Sequence, residues 1–141
     1  MGSTEAGHGE HRAGIDLPPE ADSVRTARSF VASMLELWEC DDPQLVVSLL
    51  TSEIVTNAVR HAAGTIRLDV AIVEDDLVLV ETTDDHPSDP VLLPVDPARP
   101  GGRGILLVQS LARTWGIRRE NRQKVVWFEA QITHRSPAIS P

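Results

Sequence analysis

The chain has 141 residues, 41% hydrophobic and 24% charged, enough for one domain with a two-layer core. A net charge of −8, only two phenylalanines and no tyrosine exclude a base-stacking, phosphate-neutralising surface, so no nucleic-acid partner is expected. The single cysteine, Cys40, excludes an intrachain disulfide and a cysteine metal cluster. No apolar run approaches the roughly 20 residues of a membrane span, and the N-terminus lacks a signal-peptide core, so a cytoplasmic protein without membrane contact is expected.

Residues 1–12, MGSTEAGHGEHR, are polar and Gly-rich and read as a disordered tail; His8 and His11 within it do not make a metal site. Residues 15–17 suit a short strand ended by Pro18 and Pro19. Val24, Ala27, Val31, Met34, Leu35 and Trp38 recur at three- and four-residue spacing, which predicts a helix over 23–39 with Asp22 or Ser23 as its N-cap. Asp42 then caps a second helix, with Pro43 at its first position, that runs to about residue 62 and stops at Gly64.

Ile66, Leu68, Val70 and Ile72 alternate with Arg67, Asp69 and Ala71, the pattern of a strand with one buried face. A turn at Asp75-Asp76 leads into a partner strand over 77–83, on which Val78, Val80, Thr82 and Asp84 share parity. Residues 85–101 hold five prolines without a clean period and read as a lid. Gly101-Gly102-Arg103-Gly104 opens a helix over 103–113, and residues 114–119 and 125–132 form a closing hairpin with Val126, Phe128, Ala130 and Ile132 on one face. Residues 134–141 are read as a frayed tail, leaving a domain over 13–133. The element order predicts an α+β, two-layer α/β sandwich with a mixed, mostly antiparallel sheet and three helices on one face.

Three pieces of this chain carry chemistry. On the second helix Glu53, Asn57, Arg60 and His61 fall in one polar stripe about 100° wide, backed by Val47, Ile54, Val55, Ala58, Val59 and Ala62. A carboxylate one turn from an amide oxygen suits a metal ion held beside a proton acceptor, although an ordinary amphipathic helix gives the same pattern. Asp84 is a carboxylate at a strand end, aimed between the layers if the valines of its parity face the core. The glycine-rich stretch at 101–104 precedes a helix N-terminus, where backbone N–H groups and the helix dipole favour a phosphate. It is not a Walker A loop, because no Lys-Ser or Lys-Thr follows.

In this order the three pieces resemble the N, G1 and G2 boxes of the GHKL ATPase superfamily, which includes histidine-kinase catalytic domains, gyrase-type ATPases and heat-shock chaperones. The strings SEIVTNAVRHA and GGRGILLVQSLARTWGI, in a short single domain, are similar to the anti-sigma-factor serine kinases of Gram-positive bacteria and to small actinobacterial regulatory ATP-binding proteins. The resemblance covers roughly residues 15–132 and implies a Bergerat-type ATP-binding fold. It implies Glu53 as the general base, Asn57 as the holder of a Mg²⁺ that bridges the ATP phosphates, and Asp84 as the acceptor for the adenine amino group. It also implies Arg60 as a phosphate contact and Gly102, Arg103 and Gly104 as a backbone cradle for the phosphates; His61 receives no role. Two positions depart from the pattern: His86 stands where a small residue is usual, and Val125 where a threonine helps to bind adenine.

The function implied is an ATP-dependent serine/threonine protein kinase that regulates transcription as an anti-sigma factor. Its partners would be a sigma factor and an anti-sigma-factor antagonist, the latter phosphorylated on serine. A non-catalytic, ATP-dependent partner-binding switch with the same fold is the alternative, and the resemblance leaves a homodimer open.

Overall fold

Alternating apolar residues make the centre of the molecule. Ile66, Leu68, Val70 and Ile72 are buried in strand β3 (Ile66–Glu74), and Val78, Val80, Thr82 and Asp84 are buried in β4 (Leu77–Asp84). The two pair as a hairpin across Asp75-Asp76, with an irregular register between Ile72 and Glu74. The structure, a computed structural model, describes residues 11–61, 64–85 and 111–135.

Around this hairpin, β1 (Arg12–Leu17) pairs with β3, while β6 (Gln123–Gln131) pairs with both β4 and β5 (Thr114–Glu120). The sheet order is β1-β3-β4-β6-β5. Every described pairing is antiparallel, so the mixed character expected from the sequence is not seen among the described residues. The β5–β6 hairpin turns on Asn121 and Arg122, both with positive φ (51° and 69°). That is the sense of a two-residue turn matching the strands' right-handed twist.

Helix α1 (Asp22–Leu37) buries Ala27, Val31 and Leu35, as its periodicity predicts. Its N-cap is Ala21, and neither Asp22 nor Ser23 fills that position. Ser23 Oγ instead donates to the Pro18 carbonyl at 2.6 Å, tying the helix start to the end of β1. The helix stops two residues earlier than expected, and Glu39 then adopts φ 60°, the left-handed exit that many helices use.

Helix α2 (Val46–His61) starts later than Pro43. Residues Pro43–Leu45 form a 3₁₀ turn with Gln44 and Leu45 at φ 57° and 58°, which is incompatible with a continuous α-helix. Asp42 still caps α2: its two carboxylate oxygens accept the backbone N–H groups of Val47 (2.8 Å) and Ser48 (2.9 Å). Gly64 follows α2 without a positive φ, so it does not act as a left-handed cap.

Helices α1 and α2 pack on each other, and α2 lies on β4 and β6. Two α-helices are described; the third, expected over 103–113, falls outside the described residues except for its end. A second, two-stranded sheet was not expected. In it β2 (Cys40–Asp41) pairs with β7 (Thr133–His134), and Arg135 bridges Glu36 (2.7 Å) and Asp41 (3.1 Å). His134 and Arg135, read from the sequence as tail residues, take part in these contacts.

Candidate functional site

Val47, Leu50, Ile54, Val55 and Ala58 are fully buried on α2, which fixes the helix's rotation on the sheet. That rotation sets the polar stripe at the rim of the layer. Glu53 and Asn57, one turn apart, are half-buried, whereas Arg60 and His61 are exposed. The Glu53 Oε1 atom is shielded from solvent even though the residue as a whole is not buried. Below the stripe, Arg28 of α1 donates to Ser52 Oγ (3.4 Å), which in turn donates to the Ser48 carbonyl (3.1 Å). These bonds couple the helix that carries Glu53 to its neighbour.

Asp84 lies where strand parity places it, at the end of β4 with its side chain fully buried. The two strands beneath α2 are therefore the one that carries Asp84 and its neighbour β6. The register across those strands shows a residue that the sequence reading missed: Asp84 pairs directly with Lys124, not with Val125. The Lys124 side chain is 1% exposed, and its Nζ stands 3.8 Å from Asp84 Oδ2. Burial pushes the Lys124 ammonium below its ordinary pKa; Asp84 opposes that shift and Arg119 adds to it.

Val125 pairs with Thr83 and belongs to the opposite parity, so it does not stand beside Asp84. The side chain that faces Asp84 across the two strands is an ammonium. A signal for it was present. Lys124 shares parity with Val126, Phe128, Ala130 and Ile132, all buried, and it is the chain's only lysine.

His86, Gly102, Arg103 and Gly104 lie outside the described residues, as does the lid expected over 85–101 except for Asp85. Among the described residues no group of three or more His, Cys, Asp or Glu side chains is arranged to hold a metal ion. This donor set fits a Mg²⁺ at Asn57 only in one way, with a single protein oxygen and the remaining ligands from phosphates and water, as is usual for that small, strongly hydrated ion. A buried carboxylate at a strand end fits an N–H group of a base, since a desolvated carboxylate gains most from a donor.

In this two-layer sandwich the helix that carries Glu53 and Asn57 packs on the strand that ends in the buried Asp84. The histidine kinase-like ATPase domain family matches residues 17–130, and the chain belongs to that family. It therefore carries an ATP-binding fold. Among solved structures, the RsbU and RsbW domains of Rv1364c from Mycobacterium tuberculosis are similar in fold. They match with a TM-score of 0.65 and 18% identity, over 92% of this chain and 34% of that one. This chain thus spans about a third of the length of that solved chain. No match was found among curated protein sequences. No described helix is long and apolar enough to cross a membrane.

Proposed function

We propose that this domain is a cytoplasmic ATP-dependent serine/threonine protein kinase that regulates transcription as an anti-sigma factor, with an anti-sigma-factor antagonist as its substrate. The observation that carries the reading is the pairing of Glu53 and Asn57 at the rim of α2, above the strands that bear Asp84. Asp84 takes the adenine amino group, Arg60 reaches toward a phosphate, and Gly102, Arg103 and Gly104 offer backbone donors. Bound at Asn57, Mg²⁺ supplies charge neutralisation on the phosphates. Glu53 orients the attacking serine hydroxyl and accepts its proton. The serine oxygen bonds to the γ-phosphorus, the bond to the bridging oxygen breaks, and ADP leaves with that electron pair. Positioning and charge stabilisation are the main demands of this reaction, so these few groups suffice.

The test is to incubate the protein with γ-labelled ATP, Mg²⁺ and a cognate antagonist. The wild type is expected to label the antagonist, and Glu53→Ala to be slower by about 100-fold, the usual order for a lost general base. Equal labelling by both removes Glu53 from the role. Nucleotide-dependent partner binding with no phosphate transferred instead selects the non-catalytic switch.

A further inference from the structure

Lys124 and Asp84 form a buried ion pair, with side chains 1% and 0% exposed. They are register partners at the adjoining ends of β4 and β6. At 3.8 Å the two charges attract, but the ammonium is beyond hydrogen-bond reach of the carboxylate oxygen. Such a pair adds little net stability, because desolvation of both ions offsets their attraction. What the pair does provide is an acceptor-only group beside a donor-only group.

Adenine presents the complement of that arrangement on one edge: the exocyclic amino donor stands next to the ring-nitrogen acceptor N1. Guanine carries the two functions in the reverse order, a carbonyl acceptor next to an N–H donor. We propose that Lys124 is a base-reading residue, whose Nζ donates to adenine N1 while Asp84 accepts from the amino group. The proposal rests on the reading of Asp84 as the adenine contact. The lowered pKa of the ammonium is in keeping with it, since a charge left costly by burial gains from a further acceptor. The hydrocarbon stem of Lys124 follows the inward parity of Val126 and Phe128, which directs its head along the same layer as Asp84.

The experiment compares binding of ATP with binding of 1-deaza-ATP, in which N1 is replaced by C–H, by calorimetric titration in Mg²⁺. The wild type is expected to prefer ATP about tenfold, the value of one charge-assisted hydrogen bond at the lower end of its range. Lys124→Met is expected to erase that preference, and Lys124→Gln, which keeps a neutral donor, to retain part of it. Because Lys124→Met removes a cation buried beside Asp84, the comparison within the wild type and the Lys124→Gln variant decides the matter should the methionine variant not fold. An ATP to 1-deaza-ATP ratio near one in the wild type, or an unchanged ratio in the variants, overturns the proposal and makes Lys124 a counter-ion alone. ATP binding that appears or tightens in Lys124→Met overturns it too, and assigns Lys124 to blocking the base position. Failure of every form to bind ATP is a different result, which removes the ATP reading itself and this proposal with it.

Discussion

The helix side and the strand side of the candidate site hold their polar groups in opposite ways. On α2, Glu53 and Asn57 sit half-buried at the rim, and Arg60 is exposed beyond them. At the ends of β4 and β6, Asp84 and Lys124 are sealed from solvent and lie 3.8 Å apart. Rim groups keep part of their hydration, although Glu53 Oε1 is shielded, so the fold holds them at less expense than a sealed pair. Sealed groups are held by buried partners, so function and stability are coupled there. The difference implies that substitutions on the two sides fail for different reasons.

The largest expected effect on stability is at the sealed pair. Removing one partner of a buried pair leaves an uncompensated charge and costs about 3 kcal/mol, so Lys124→Met or Asp84→Ala should lower the urea midpoint strongly. The double variant should recover most of that loss, which a double-mutant cycle measures directly. On the rim, Glu53→Ala should change stability by no more than about 0.5 kcal/mol while it slows labelling of the antagonist about 100-fold. Equal destabilisation by Glu53→Ala and Lys124→Met would break the contrast between the two sides.

A smaller effect is expected from pH. The folded state holds the Lys124 ammonium below its ordinary pKa of 10.5, so folding disfavours the charged form. Below the lowered folded value both states are protonated and the full penalty is present. Between that value and 10.5 the unfolded chain binds more protons, and stability rises with pH. Wild type should therefore gain stability relative to Lys124→Met as pH is raised from 7.5 toward 10. Use of the difference also cancels Cys40, whose thiol is raised mainly by burial and therefore acts with the opposite sign. A relative loss over that range contradicts the placement of Lys124.

How much of this was legible in the sequence follows from the range of each interaction. The faces of α1 and α2 repeat over several turns, so Val31, Leu35, Ile54 and Ala58 could be read as core from spacing alone. Strand parity likewise placed Asp84 inside. The partner of Asp84 was not readable in the same way, because it depends on the register between strands far apart in sequence. A one-residue slip in that register would bring a different side chain opposite Asp84. The pairing of Cys40–Asp41 with Thr133–His134 was missed for the same reason, since two-residue strands carry no period. Asp42 was recognised as a cap, but the left-handed Gln44 and Leu45 displaced the helix it caps to Val46. No local rule marks those two residues for positive φ.

Calorimetric titration of Mg²⁺-ATP measures whether Asp84 and the α2 rim together bind one nucleotide. Wild type should bind with a stoichiometry of one, Asp84→Asn should lose most of the affinity, and Asn57→Ala should lose the dependence on Mg²⁺. Absence of ATP binding by the folded wild type, or binding unchanged in both variants, would contradict the account.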